Sequence, residues 1–266
     1  GEGHRFYIRD GACVWNPGWQ PVRTELDSYR CRHGLGYTVF ECAKNGIEAK
    51  QEMFVPLGDA CEVIRLTLHN AGAEPRALQL FSYVEFCLWN AVDDSTNFQR
   101  NFSTGEVEVE GSTIYHKTEY RERRDHYALY TVNAPVDGFD TSRDAFLGAW
   151  HSNANPEVVE KGQCTNSVAH GWAPVGVHQI NVTLSPGESR SLIYMLGYIE
   201  NPQEEKWAAP GVINKTRAHE LMARYATDAQ VDEALAKLHA HWINLLSSFA
   251  FRSSDEKLDR FVNIWN

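Results

Sequence analysis

The hydrophobic pattern of this chain changes its period once. From Arg5 to about Tyr198, short runs of β-branched and aromatic residues alternate with polar ones and are punctuated by Gly, Pro, Asn and Asp, which predicts successive strands. The clearest pair is "GYTVFECAKNGIEAKQEMFV", where Asn45-Gly46 is the preferred dipeptide of a type I′ hairpin turn. "CEVIRLTLHNAGAEPRALQLFSYVEFCLW" predicts two more strands around an Ala-Gly-Ala-Glu-Pro loop. "GEVEVEGSTIYHKTEY" alternates Glu with Val, as one wet face and one dry face would, and "HQINVTLSPGESRSLIYMLGYI" turns at Pro186-Gly187. In "LQLFSYVEFCLW" both faces are apolar, with Leu78, Leu80, Val84, Phe86 and Leu88 on one and Phe81, Tyr83, Cys87 and Trp89 on the other. That strand is expected to be buried on both sides. Many strands with no helices between them predict a mainly β fold, a large antiparallel β-sandwich, followed by an α-helical linker.

After Asn201 the polar, Pro-containing "NPQEEKWAAPGVINK" reads as a connector, and the period then becomes helical. Thr227 and Gln230 are spaced as a capping box before a stripe of Val231, Leu235, Leu238, Trp242, Leu245, Leu246 and Phe249. A second box, Ser253 with Glu256, is expected to open another helix bearing Leu258, Phe261, Val262 and Trp265. The expected division is a sandwich over residues 1–200, a helical linker over 201–252 and the start of a further domain over 253–266. The chain opens without Met and stops inside an amphipathic pattern, so it is read as a piece of something longer.

Composition narrows the function classes. A hydrophobic content of 43% in 266 residues supports a sizeable core, and a net charge of -10 argues against nucleic acid, whose binding relies on clustered Lys and Arg. The basic cluster Arg121 to Arg124 is interrupted by Glu122 and closed by Asp125, as at a solvated hairpin tip. No apolar run reaches the ~18 residues of a spanning helix and no signal peptide opens the chain, so no membrane partner and a cytoplasmic location are expected. Six dispersed cysteines without a C-x-x-C pair are expected to be buried and reduced.

Several chemistries find no support. His239 and His241, two apart on a helix, point roughly 200° away from each other and cannot share an ion, so no metal is expected. Gly34 and Gly36 lead into a strand, which offers no helix N-terminal amides to a phosphate. Asp93-Asp94 diverge from one backbone, whereas glycosidase carboxylates must flank the bond from two sides, and Asp27 has no local partner. Trp15 and Trp19, around Pro17-Gly18, read as a packed turn, with a sugar platform as the alternative. What survives is "LWNAVDDSTNFQRN". Asn90, Asn97 and Gln99 offer both donors and acceptors, as sugar hydroxyls do, and the Arg100 fork can donate to two hydroxyls at once. Trp89 or Phe98 could wall a pyranose face, but on composition alone an ordinary polar loop that satisfies its own backbone is the favoured reading.

"VWNPGWQPVRTELDSYRCRHGLGYT", "FSYVEFCLWNAVDDSTNFQRNFSTGEVEVEGSTIYHKTEYRERR" and "APGVINKT" resemble the inverting disaccharide phosphorylases of glycoside hydrolase family 94, which include cellobiose, chitobiose and cellodextrin phosphorylases, with cellobiose phosphorylase the match. The resemblance runs through essentially the whole chain. It implies a sandwich and linker preceding an (α/α)6 barrel, with cellobiose and phosphate exchanged for α-glucose 1-phosphate and glucose. It further implies no cofactor beyond phosphate as co-substrate, a homodimer, and a catalytic acid and phosphate site outside this chain, which alone would be inactive. By the same resemblance Asn90, Asn97, Gln99 and Arg100 belong to the acceptor subsite, Gln99 and Arg100 nearest the sugar. The alternatives are a phosphorylase for another β-linked disaccharide or cellodextrin, and a non-catalytic carbohydrate-binding or dimerisation module.

Overall fold

The computed structural model describes residues 4–86, 105–118, 125–169 and 174–264. Eight strands pair in the order β3 (Ser28–His33), β4 (Tyr37–Lys44), β5 (Ile47–Phe54), β6 (Cys61–Asn70), β13 (Ser189–Glu200), β10 (His126–Val132), β9 (Thr113–Thr118), β8 (Gly105–Glu110). Five form a smaller sheet, in the order β11 (Gly138–Ser142), β12 (Pro174–Leu184), β7 (Arg76–Glu85), β1 (Arg5–Asp10), β2 (Cys13–Trp15). The pairings within both sheets are antiparallel, so the mainly β sandwich read from the sequence is the fold observed.

Local chemistry explains the turns. Asn45 and Gly46 sit at φ 51° and 79°, the two left-handed positions of a type I′ turn, and Lys44 pairs with Ile47 across it. Asp27 closes the same corner by accepting the Asn45 N–H at 2.6 Å, a structural use for an acid that had no local partner in the sequence. Trp15 is fully buried in the packed turn, whereas Trp19 keeps 42% of its surface.

β7 is buried on both faces. Leu78, Leu80, Val84 and Phe86 point between the sheets, against Phe6, Ile8, Ile64 and Leu66. Phe81 and Tyr83 point outward, against Tyr7, Phe146, Val158 and Val159. The last three belong to α1 (Arg143–Leu147) and α2 (Glu157–Lys161), which cover the outside of the small sheet, together with the core of that cover. The large sheet is covered in the same way. Val63, Leu129, Ile193 and Met195 pack against Ala218 and Leu221 of α3 (Thr216–Ala223) and Val231 and Leu238 of α4 (Asp228–Leu246). Helix, sheet, sheet and helix make four layers with three apolar seams.

α4 begins with the capping box expected, the Thr227 side chain accepting from the Gln230 N–H and the Gln230 side chain from the Thr227 N–H. Only part of its stripe is covered. Val231 and Leu238 are buried, while Leu245 and Phe249 stand 54% and 60% exposed. The next helix, α5 (Glu256–Ile264), corrects the sequence reading of its cap. Asp255 Oδ1 accepts the N–H groups of Lys257 and Leu258, and Ser253 instead donates to Asp259. A carboxylate two residues nearer the first helical amides wins the position.

Residues 201–215 carry a 3-10 turn (Gln203–Glu205) and the hairpin β14 (Trp207–Ala209) with β15 (Val212–Ile213). This stretch is tied to the edge of the large sheet by the Glu face of β8, which is therefore not simply wet. Glu108 takes Lys117 Nζ at 3.0 Å, Lys215 Nζ at 2.9 Å and the Ile213 N–H at 3.0 Å. Burial opposes its ionisation, but that N–H and the two ammonium groups hold Glu108 below the usual carboxylate range.

Cys13, Cys31, Cys42, Cys61 and Cys164 are free thiols; the last three are buried, and burial pushes Cys42 up to about 12. Cys87 lies outside the described residues. Among the described residues no helix is long and apolar enough to cross a membrane, and no cluster of three or more His, Cys, Asp or Glu is placed to hold a metal ion.

Candidate functional site

Asn90, Asn97, Gln99 and Arg100 lie outside the described residues, as do Trp89, Phe98, Asp93 and Asp94, and likewise the basic cluster Arg121 to Arg124. Strand register nevertheless fixes the place from which residues 87–104 start and to which they return. In the small sheet Arg5 stands opposite Tyr83, and Val175 opposite Glu85. In the large sheet Gly105 stands opposite Thr118, Lys117 opposite Tyr127, and His126 opposite Glu200. Phe86 joins the two rows, its ring stacked on His116 with centroids 5.1 Å apart and planes at 23°. The segment therefore leaves from a middle strand of one sheet and returns to the edge strand of the other, at one end of the sandwich.

The rim there is rich in paired polar groups. Tyr83 donates its hydroxyl to Glu85 at 2.6 Å, Arg143 Nε lies 3.7 Å from the same carboxylate, and the Arg5 guanidinium sits 5.2 Å above the Tyr83 ring. Burial first, and then the Glu85 carboxylate, hold the Tyr83 hydroxyl protonated. On the large sheet Tyr198 donates to Glu200 at 2.8 Å and also bonds His126 Nδ1. With the hydroxyl proton on the carboxylate side, Nδ1–H is the donor of the second bond. Between these groups a cavity of about 350 Å³ opens, walled by Cys61, Glu62, Glu85, Phe86, Leu196 and Tyr198. His4 Nε2 lies 2.7 Å from Glu62.

Behind the rim the core stays polar for one more layer. His178 stacks on Tyr130 at 5.0 Å and 17°, and Gly176 lets β12 pass, since a Cβ there would stand 2.8 Å from the Tyr130 ring. Burial holds His116 and His178 neutral, lowering them to about 4 and about 3. Sequence reasoning missed these histidines, because alternation marks the inward face without saying which inward residues meet across the sheets.

Over residues 1–228, which hold both sheets, the chain matches the family description "Glycosyl hydrolase 94, supersandwich domain". The chain belongs to the glycosyl hydrolase 94 family. Among curated relatives, this family member is 32% identical over 269 residues to N,N'-diacetylchitobiose phosphorylase of Vibrio furnissii, covering 99% of this chain and 32% of that protein. It is 30% identical over 267 residues to solabiose phosphorylase of Paenibacillus borealis, covering 100% and 33%. The chain thus spans about a third of the length of the curated relatives it matches. Among solved structures, a bacterial glucoamylase complexed with acarbose shares the fold, with a TM-score of 0.57 at 10% identity over 92% of this chain and 31% of that one. The glycosyl hydrolase 94 supersandwich match spans the strands of both sheets. On α4, His239 lies beside Tyr37, ring centroids 4.9 Å apart, while His241 is exposed next to Trp242.

Proposed function

We propose that this chain is the sandwich and linker portion of an inverting disaccharide phosphorylase, with residues 1–200 as sandwich, 201–252 as linker and 253–266 leading into a helical barrel. The reaction is cellobiose plus phosphate giving α-glucose 1-phosphate plus glucose as first candidate, or another β-linked disaccharide giving the α-1-phosphate of its own non-reducing sugar. An acid in the barrel protonates the glycosidic oxygen while phosphate attacks the anomeric carbon from the opposite face, taking the part that water plays in an inverting hydrolase. Neither the acid nor the phosphate site is assigned to this chain. No further cofactor is invoked, and the working form is a cytoplasmic homodimer.

This chain's share is the acceptor side. Gln99 and Arg100 hydrogen-bond the departing sugar, and Asn90 and Asn97 stand nearer the entrance. The reading is carried by the family match over residues 1–228 together with the anchoring of 87–104 across one end of the sandwich. The test is made in the longer protein that contains a barrel. Arg100→Ala is expected to raise the KM for glucose in the synthetic direction at least about tenfold while that for glucose 1-phosphate changes less than about twofold, since one charge-assisted hydrogen bond contributes roughly 1.5–3 kcal/mol. Equal loss on both sugars would sink the assignment. Consumption of phosphate and release of the matching α-glycosyl 1-phosphate from cellobiose, N,N'-diacetylchitobiose and solabiose, compared side by side, decides the disaccharide.

A further inference from the structure

The stretch between β13 and α3 is held differently from the rest of the molecule. From Trp207 to Val212 every residue is exposed, and Ile213 is the one hydrophobic side chain of residues 201–215 that enters a core cluster. Apolar burial therefore contributes little to its hold, and a segment of that kind opens at lower free energy than the core beneath it. Both of its ends are fixed independently. The Asn201 N–H donates to the Asp125 carbonyl at 3.2 Å, and Ala218 and Leu221 of α3 are buried against the large sheet.

Polar ties take the place of burial. The hairpin closes on itself where Trp207 pairs with Ile213, and the Asn214 N–H donates to the Lys206 carbonyl at 2.9 Å. Side chains of three strands join it to the outer face of the large sheet. Lys117 of β9 donates to the Gly211 carbonyl at 2.5 Å, Tyr127 of β10 donates to the Asn214 carbonyl at 3.0 Å, and Glu108 of β8 accepts the Ile213 N–H. The Lys206 and Lys117 ammonium groups lie 4.4 and 5.1 Å from the centre of the Trp207 ring.

One carboxylate gathers these ties. Glu108 holds the stretch directly through Ile213 and Lys215, and indirectly through Lys117, which reaches on to Gly211. Glu106 lies 2.9 Å from Lys117 and Glu110 2.8 Å from Lys215, but both acids are more than half exposed, whereas Glu108 keeps only 18% of its side-chain surface. On the remaining sides, His219 of α3 is 3.8 Å from Glu110, and the Lys215 ammonium lies 5.0 Å from the Tyr115 ring. Lys117 and Lys215 are themselves shielded, so neutralising Glu108 strands two ammonium groups in a way that losing a surface ion pair does not. An open hairpin returns both to water.

We propose that residues 202–214 are a strap that opens from the large sheet as a unit while both of its ends stay anchored, and that the ionised Glu108 carboxylate is its lock. The device goes beyond the phosphorylase reading and does not need it. Lys215 is the residue from which α3 starts, so the lock also fixes where that helix begins. Closure is complete while Glu108 is ionised and is lost as pH falls through its value, which lies below the ordinary carboxylate range. Hydrogen exchange of the 266-residue chain, read by mass spectrometry on peptides, is the test. At pH 7, Glu108→Gln is expected to speed exchange within 202–214 about tenfold, with peptides of β9, β10, β13 and α4 and the Tm unchanged. After correction for intrinsic exchange, the unmodified chain is expected to lose protection in the same peptides between pH 7 and pH 4, and Glu108→Gln to show a shallower dependence. Acceleration shared equally by the strap and β9 would show that no separate unit exists. Unchanged exchange in Glu108→Gln, or the same pH dependence as the unmodified chain, would show that Glu108 is not the lock.

Discussion

His116 and His178 are unusual among the titratable side chains because burial alone sets their state. Unfolded, each takes a proton near pH 6.5; folded, each resists it until about 4 and about 3 respectively. The folded pKa is depressed, so the stability these residues permit is complete above about pH 6.5 and is lost as pH falls from there toward the folded values. At roughly 1.36 kcal/mol per unit, the two together withdraw several kcal/mol by pH 4. Urea midpoints measured at pH 7, 5 and 4 are expected to fall, and in His178→Phe, which keeps a ring against Tyr130, the fall is expected to be shallower by about one proton's slope. An identical slope in the variant would show that His178 is not the group that titrates. None of this was legible in the sequence, where both histidines sit within alternating strands like any polar residue.

At the scale of elements, legibility followed the range of the interaction. Asn45-Gly46 and the Thr227 to Gln230 box are complete within four residues, and both were read correctly. The two apolar faces of β7 were also visible, because alternation reports burial directly. Ser253 was misread as a cap because Asp255, two residues on, competes for the same amides and lies closer to them. The order of strands was not legible: β7 pairs with β1 and β12 although other strands intervene in the chain, and no local pattern encodes that choice. The candidate site rests on resemblance, since its four side chains lie among residues 87–104, outside the described residues, and composition alone favoured an ordinary polar loop. Within α4 the difference between cap and core can be measured. Thr227→Ala is expected to cost about 1 kcal/mol and Leu238→Ala about 2–5 kcal/mol in chemical denaturation. Equal losses would contradict the burial of Leu238 against the outer face of the large sheet.

For the whole molecule, three apolar seams are closed and a fourth apolar surface is open. Ile243, Leu245, Phe249, Leu258 and Phe261 stand 66%, 54%, 60%, 44% and 65% exposed along the ends of α4 and α5. Because they already face water, Phe249→Ser and Phe261→Ser are expected to change the unfolding free energy by less than about 0.5 kcal/mol, whereas the same substitution at a closed seam is expected to unfold the protein. A large loss at Phe249 would mean that this end of α4 packs against the sandwich after all.

Residues 87–104 are moored to two different layers, one end past Phe86 in the small sheet and the other at Gly105 in the large one. Their chord is therefore gauged by the thickness of the sandwich at that point, where Phe86 and His116 act as the spacer. A bulkier or slimmer residue at the spacer would change the distance between Phe86 and the strand that begins at Gly105. The filling of the hydrophobic seam thus sets a distance between two strand ends that no polar residue at the rim determines.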